Sequence, residues 1–310
     1  MKKKILAILP ISIGGRLTTS SIIDGYRQNN CEVTVFDELF DKNINTVLKK
    51  HFDQIVGYDF SGLKIKIDNN LQIPSVNYFS DDIRSKTSGP EWEKYLPYLE
   101  NKDNYIFYWD KVLTSYENFP NIYYLPHFVN FDIYKDLGIE PEFDIMFAGR
   151  LDTDYRLSFF EELVLKLPEL KIAWFAIRKH YEDARKRAKY PEIIDLCYHG
   201  FIDNEIDMAK AINNTKIVFN MNSQGISSLN YRTIQTIACK RLLISDYREE
   251  LALFEGNLPF YEDFSDLIFK IENYLEDPIA YNKVVENCYN IAKVQHNSKD
   301  CVRYMLKTVQ

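Results

Sequence analysis

The chain has 310 residues, of which 46% are hydrophobic, and it carries a formal net charge of −7. This length and composition predict a globular protein with two domains of ordinary size. The acidic balance argues against a nucleic-acid-binding protein that acts by bulk phosphate neutralisation, because such a protein needs a basic face.

The first half of the chain reads as an α/β domain with short apolar runs between helical or polar segments. Predicted strands are 5–9, 31–36, 54–58, 75–79, 111–114 and 122–125. Gly14 and Gly15 follow the first strand, and they either let a phosphate approach the bare backbone or make a turn with positive φ. Asp81 and Asp82 follow the strand 75–79, where they would act as a general base or cap the next helix. The aromatic-rich stretch 92–109 either lines a binding site or packs in a core.

A polar stretch with Gly138 and Pro141 separates this half from a second α/β domain. The predicted domains are therefore 1–137 and 138–310. Predicted strands of the second domain are 144–148, 172–176, 217–220 and 242–244, and predicted helices are 178–189, 263–275, 279–292 and 298–307. Arg150 and Arg156 follow its first strand, and His199 and Asn222 lie near later strands; all four are candidate ligand-binding residues. Surface ion pairs with neighbouring aspartates are the alternative for the two arginines.

The segment 231–246 predicts a short buried helix, a tight turn and a buried strand. Asn230 is a residue type that caps a helix start. Because a helix N-terminus presents unpaired N–H groups, it binds phosphate readily. Asn230, Tyr231, Arg232 and Gln235 are therefore predicted to contact a phosphate or a ribose.

The pattern Asn-x-Arg-x-x-Gln-x-x-Ala-Cys-Lys-x-Leu-Leu-Ile-Ser-Asp, which begins at Asn230, resembles the donor-binding signature of GT-B glycosyltransferases. The resemblance is to the spore-maturation-protein-like, family-1-type group. Downstream, Phe-Tyr-Glu-Asp at 260–263 and Leu-Glu-Asp-Pro at 275–278 match that group in order and spacing. Two positions depart from it: Gln235 stands where the family has a glutamate that contacts the ribose, and Lys240 where it has a turn glycine.

The resemblance implies two Rossmann-like domains facing across a cleft, the GT-B fold, in which the last helix crosses back to the first domain. It implies sugar transfer from a nucleotide-diphosphate sugar, bound by the second domain, to a hydroxyl of a glycan, lipid-linked or protein acceptor, bound by the first. Surface polysaccharide or glycoconjugate synthesis is the expected setting. Arg150 and Arg156 match the family's pyrophosphate-gripping pair, so no metal or other cofactor is expected. His127 lies in a segment that resembles the interdomain crossing, where it is either a base, a phosphate contact or a structural histidine.

Two other functions share parts of this pattern. A nucleotide-sugar epimerase of the same fold would need an acid and base pair of carboxylates, and the sequence identifies none. A nucleotide-sugar-binding protein without transfer activity is favoured by glutamine at position 235, because glutamine loses the charge of the family glutamate.

The sequence also bears on location. The five cysteines are scattered without paired spacing, which gives no sign of a disulfide framework or a zinc site and favours a cytoplasmic location. No apolar run is long enough to span a membrane, and the basic segment 178–189 reads either as a solvated helix face or as a peripheral contact with anionic lipid. The oligomeric state is not predicted.

Overall fold

The computed structural model describes residues 2–41, 43–82, 89–114, 121–222 and 227–309, which form two α/β units. Unit 1 comprises Met1–Asn130, Gln224–Tyr231 and Val294–Gln310, and unit 2 comprises Phe131–Ser223 and Arg232–Lys293. The chain thus leaves unit 1 at Asn130, before the predicted boundary at 137. Each unit is built on a parallel sheet, so the predicted pair of Rossmann-like domains is confirmed.

Six parallel strands of unit 1 pair in the order β2-β1-β3-β4-β5-β6. They are β1 (Lys4–Leu9), β2 (Glu32–Asp37), β3 (Gln54–Tyr58), β4 (Ser75–Phe79), β5 (Asn104–Tyr108) and β6 (Ile122–Tyr124). The helices between them are α1 (Ile13–Gln28), α2 (Ile44–Val47), α3 (Ser61–Asp68), α4 (Gly89–Tyr95) and α5 (Lys111–Thr114), with a 3-10 turn at Leu96–Glu100. Strands β4 and β5 are buried along their whole length, as expected for the middle of a sheet covered on both faces.

Five parallel strands of unit 2 pair in the order β11-β10-β9-β7-β8. They are β7 (Phe143–Ala148), β8 (Ile172–Phe175), β9 (Thr215–Asn220), β10 (Leu242–Asp246) and β11 (Phe260–Tyr261). The helices are α6 (Asp154–Lys166), α7 (Arg178–Arg187), α8 (Pro191–Cys197), α9 (Glu205–Asn213), α10 (Tyr231–Ala238), α11 (Phe264–Glu276) and α12 (Pro278–Gln295), with a 3-10 turn at Glu249–Phe254. Helix α10 begins with a residue that belongs to unit 1.

The last helix, α13 (Ser298–Thr308), belongs to unit 1, where it packs on α1. The two helices approach closely at Gly25, since a Cβ atom there would meet Val302 Cγ2 at 2.4 Å and the Ser298 carbonyl at 2.6 Å. Any larger residue at this position would push the two helices apart.

One predicted strand of unit 1 was wrong, and one strand of its sheet was missed. Residues 111–114 form the short helix α5 and not a strand, and β5, inside the aromatic-rich stretch, was not predicted. Strand β5 pairs with β4 on one side and β6 on the other, so the sheet has no place for a strand at 111–114.

Both sheets share one topological feature. The chain leaves β1 for β2 on one side and returns to β3 on the other, and in unit 2 it does the same around β7 with β8 and β9. In open parallel sheets, ligands bind beyond the carboxyl ends of the strands at such a switch point. We therefore expect ligand-binding sites beyond the carboxyl ends of β1 and β3 in unit 1, and of β7 and β9 in unit 2. Among the described helices, none is long and apolar enough to cross a membrane.

Candidate functional site

Two predicted arginines lie beyond the carboxyl end of β7. The side chain of Arg150 is 47% exposed, and its Nε lies 3.4 Å from a carboxylate oxygen of Asp152. Thr153 caps α6 by accepting a hydrogen bond from the Arg156 N–H at 3.2 Å, which places Arg156 in the first turn. The Arg156 guanidinium is buried, lies over the Phe147 ring, and donates to the Met221 carbonyl at 2.9 Å. Arg150 is thus accessible to a ligand, whereas Arg156 holds the segment that follows β9.

Asn222, in that segment, joins the carboxyl ends of β9 and β10. Its backbone N–H and its side-chain amide both donate to Asp246 Oδ1, at 2.9 and 2.7 Å. The Ser245 hydroxyl also donates to Asp246, at 3.2 Å, and Asn220 donates to the Ser245 oxygen at 3.1 Å. This network fixes the polar residues at the switch point of unit 2.

A third arginine, Arg248, belongs to the same group and was not predicted. Its Nη2 lies 3.4 Å from the Asn222 carbonyl and 3.4 Å from Asp246 Oδ2, and its side chain is 17% exposed. The signal was available in the sequence, because Arg248 follows the strand β10 as directly as Arg150 follows β7. We call Arg150, Arg156 and Arg248, with Asn222 and Asp246, the arginine cluster.

The charge of Arg150 affects the pKa values of two nearby side chains. Burial lowers the pKa of Arg156, and Arg150 lowers it further. Burial and then the Arg150 charge lower the pKa of His180, on α7. The region around Arg150 therefore favours negative charge, which suits a phosphate group.

Arg232 and Gln235 form a second polar group of unit 2. Gln235 is fully buried; its Oε1 accepts from Arg232 Nη1 at 2.5 Å, and its Nε2 donates to the Tyr134 hydroxyl at 2.5 Å. Both ends of the amide are therefore bonded inside the protein, and Gln235 orients Arg232. A ribose contact by Gln235 stays a prediction from the resemblance.

Asn230 and Tyr231 lie in unit 1. The Asp110 carboxylate accepts from the N–H groups of Ser227 and Ser228, at 3.1 and 3.3 Å, and so anchors the segment that leads to them. The Tyr231 hydroxyl lies 2.8 Å from Ser21 Oγ. The predicted donor-binding residues of segment 230–235 are therefore divided between the two units.

His199 is exposed, and its backbone N–H donates to the carbonyl of Trp174, in the carboxyl half of β8, at 2.9 Å. Its ring packs edge-on against Phe143, with centroids 4.7 Å apart, and it lines an apolar cavity of about 510 Å³ with Lys171 and Ile172. Its ring centroid also lies 6.0 Å from that of Phe175, the last residue of β8, whose carbonyl accepts from the Gly149 N–H at 3.1 Å. A donor contact by His199 stays a prediction.

His127 is buried in unit 1 together with His296. The Tyr78 hydroxyl lies 3.2 Å from His127 Nδ1, and His296 Nδ1 lies 2.7 Å from the His127 carbonyl. Burial, and then the neighbouring His296, lower the pKa of His127 to about 3. Burial lowers the pKa of His296 to about 4. A neutral, enclosed pair of this kind favours the structural alternative for His127.

Gly14 and Gly15 lie in the first turn of α1, so the predicted alternative of a turn with positive φ is wrong. Gly15 is required by packing, because a Cβ atom would meet Ser12 Oγ at 2.6 Å and Tyr58 Cδ1 at 2.7 Å. At Gly14 a Cβ atom would meet nothing within 4 Å. The backbone at Gly14 is therefore open to a ligand, while that at Gly15 is covered.

Asp81 and Asp82 differ in position. Asp81 lines a cavity at the switch point of unit 1, whereas Asp82 is buried. The next helix, α4, begins at Gly89, so neither aspartate is the residue before its first turn; residues 83–88 lie outside the described ranges. The same cavity contains Asp59, which sequence analysis missed although it directly follows the predicted strand β3.

Comparisons with known proteins agree with this architecture. Residues 156–307 match a family model described as glycosyl transferase-like. No curated protein sequence matches the chain significantly. A sucrose-phosphate synthase from Thermosynechococcus elongatus has a similar structure, with a TM-score of 0.73 at 12% identity over 99% of this chain and 98% of that chain.

Two further structures are similar over almost their full length. HepE from Anabaena, in complex with UDP and glucose, has a TM-score of 0.73 at 12% identity, covering 99% of each chain. An alpha-glucosyltransferase in complex with UDP-glucose and DNA has a TM-score of 0.71 at 15% identity, covering 100% of this chain and 99% of that chain. At such identities the likeness shows the fold, which is the two-domain GT-B fold.

Proposed function

We propose that this protein, which carries a glycosyl transferase-like region at 156–307 on a GT-B fold, is a glycosyltransferase. It moves a sugar from a nucleotide-diphosphate sugar to a hydroxyl group of an acceptor. The family match and the structural neighbours support sugar transfer, and the donor, the acceptor and the mechanism are our inference from the site.

The arginine cluster is the observation that carries the proposal. In sugar transfer the bond between the anomeric carbon and the diphosphate oxygen breaks, and the diphosphate leaves with the electron pair. Arg150 offers its accessible guanidinium to this leaving group, while Arg156 and Arg248 hold the Met221–Asn222 segment beside it. Positive groups fixed in advance at the developing charge lower the barrier without reorganisation. We therefore propose transfer that needs no metal ion.

The acceptor hydroxyl must lose a proton as it attacks. Asp81 lines the cavity of unit 1 and fits the role of a base better than the buried Asp82 does. His127 fits it poorly, because its pKa near 3 makes the imidazole a weak base at neutral pH.

The nucleotides bound in the similar solved structures support a choice of donor. HepE was solved with UDP and the alpha-glucosyltransferase with UDP-glucose, so a uridine diphosphate sugar is the donor we propose. The alpha-glucosyltransferase was also solved with DNA, but four carboxylates of the described residues line the cavity of unit 1, and they disfavour a polyanionic acceptor molecule such as DNA. We further propose that the acceptor is a glycan or a lipid-linked molecule and that the protein belongs to the spore-maturation-protein-like subgroup. It would then act in surface polysaccharide synthesis, in the cytoplasm or at the inner face of the membrane.

Calorimetric titration with UDP, ADP and GDP tests donor binding. Arg150→Ala is expected to make the binding free energy of the nucleotide less favourable by about 1.5–3 kcal/mol, the range for hydrogen bonds to charged groups. Arg185→Ala is the matched control, since Arg185 is 51% exposed and is paired with Asp195 much as Arg150 is paired with Asp152. No binding of any nucleoside diphosphate, or equal affinity in Arg150→Ala and the parent protein, would contradict the proposal.

A further inference from the structure

A cavity of about 340 Å³ opens at the switch point of unit 1, beyond the carboxyl ends of β1 and β3. Among the residues that the structure describes, four carboxylates line it, from Glu38, Asp59, Asp81 and Glu91, together with one ammonium group, from Lys64. A cavity with this lining disfavours an anionic ligand, because the negative charge of the ligand would lie close to carboxylates on several sides.

Aromatic side chains form much of the remaining wall. Tyr58, Phe60 and Phe79 line the cavity, and the rings of Phe60 and Phe79 lie with their centroids 5.0 Å apart. Phe60 and Phe79 are buried in the core, so these rings are held in place. Aromatic faces attract cations and also stack on the apolar faces of sugar rings.

Asp59 has hydrogen-bonding capacity that the described protein does not use. Protein encloses its carboxyl group on most sides, although part of it is accessible from the cavity. Within the described ranges, the hydrogen bond that reaches this group is a long one, 3.4 Å, from the Ser80 N–H. The Ser61 hydroxyl oxygen, which also lines the cavity, is buried without a hydrogen-bond partner in that part of the chain.

The positions of these groups also limit the ligand. Over the described residues, no three His, Cys, Asp or Glu side chains come close enough to hold a metal ion together. The four described carboxylates are therefore spread around the cavity and not gathered into one metal-binding cluster. A protonated amine satisfies the carboxylates by charge-assisted hydrogen bonds and the aromatic walls by cation–π contact.

We infer that this cavity is the acceptor site and that it selects an acceptor carrying a protonated amino group, such as an amino sugar unit. That the bound molecule is the acceptor rests on the proposed function, but the selectivity for an amino group is a property of unit 1 alone. The raised pKa of Asp59, caused first by burial and then by the Asp81 charge, agrees with it, since a bound ammonium group relieves both effects.

Saturation-transfer NMR and calorimetry on the full chain, without any nucleotide, test this selectivity. The probes are D-glucosamine, N-acetyl-D-glucosamine and D-glucose, which share a ring and differ in the charge at one position. Glucosamine is expected to bind at least about tenfold more tightly than the other two, the factor that one charge-assisted hydrogen bond supplies. Asp59→Asn should weaken the binding of glucosamine more than the binding of either neutral sugar, and so remove most of this advantage.

Two further variants guard the interpretation. Lys64→Met removes an ammonium group from the cavity wall and should tighten glucosamine binding, a direction that misfolding does not produce. Glu100→Gln removes an exposed carboxylate of unit 1 outside the cavity and should change nothing. Equal affinity for all three sugars, no detectable binding, or full glucosamine affinity in Asp59→Asn would overturn the inference. Because no donor is present, such a result is distinct from a failure of nucleotide binding in unit 2.

Discussion

The buried pair His127 and His296 makes unit 1 sensitive to acid. The folded protein keeps both rings neutral, with pKa values of about 3 and about 4, whereas in the unfolded chain histidine titrates near its ordinary value of about 6.5. A lowered histidine pKa means that the unfolded chain binds more protons below about pH 6.5. The stability contributed by the neutral pair is therefore complete above that pH, and it is lost progressively as the pH falls towards the folded values.

The magnitude follows from these pKa values. One unit of difference corresponds to about 1.4 kcal/mol, and pH 5 lies about 1.5 units below the ordinary histidine value. Each ring therefore costs about 2 kcal/mol of unfolding free energy between neutral pH and pH 5, and the pair costs about 4 kcal/mol. This is a large fraction of the stability of an ordinary domain.

Urea denaturation at pH 7 and pH 5, followed by tryptophan fluorescence, to which the buried Trp92 and Trp109 of unit 1 contribute together with Trp174 of unit 2, measures the loss. His127→Phe keeps an aromatic ring beside Trp109, whose centroid lies 4.9 Å from that of His127. This variant should lose about 2 kcal/mol less than the parent protein between the two pH values. His51→Gln is the control, because the His51 side chain is 78% exposed. An equal loss in His127→Phe and the parent protein would refute the reasoning.

Four other outcomes are expected. Gln235→Ala should lower the melting temperature, at a cost of about 1–3 kcal/mol, because Arg232 and Tyr134 lose their shared buried partner. Gln235→Glu should be tolerated, since the new carboxylate faces Arg232; a sharp loss of stability without any change in nucleotide affinity would remove Gln235 from the site. Asp59→Asn should raise the melting temperature at pH 7, because the raised pKa of Asp59 means that its ionised form destabilises the fold. This gain in melting temperature should shrink as the pH falls towards the ordinary pKa of aspartate. Activity should persist in a chelator, and a requirement for added manganese would show that the arginine cluster is insufficient.

Sequence patterns located much of the architecture. Strands β3 and β4 were predicted with their observed bounds, because short apolar runs between turn residues are typical of buried parallel strands. Residues 111–114, Lys-Val-Leu-Thr, were mistaken for a strand, since so short an apolar run does not distinguish a strand from a helical turn. Strand β5 was missed because its aromatic residues were interpreted as a binding-site lining or as core packing, and no strand was assigned to them.

The candidate site was predictable only in part. Arg150 and Asn222 follow predicted strands, and the structure places both at the switch point of unit 2. The burial of Gln235 depends on Tyr134, which is 101 residues away along the chain, and the environment of His127 depends on His296, 169 residues away. Such long-range contacts leave no periodic signal in a single sequence. They decide which polar residues remain accessible to a ligand.

The central claim is that the protein transfers a sugar from a nucleotide-diphosphate sugar. The most direct measurement incubates the purified protein with a panel of such donors, with and without a panel of amino-sugar glycosides, and follows both the free nucleotide and the acceptor mass. We expect at least one donor, a UDP-sugar by the present reasoning, to release UDP in step with the gain of one sugar mass on an acceptor, and Arg150→Ala to slow both. Nucleotide binding without any transfer, or release of UDP with an isomerised free sugar and an unchanged acceptor, would contradict the claim.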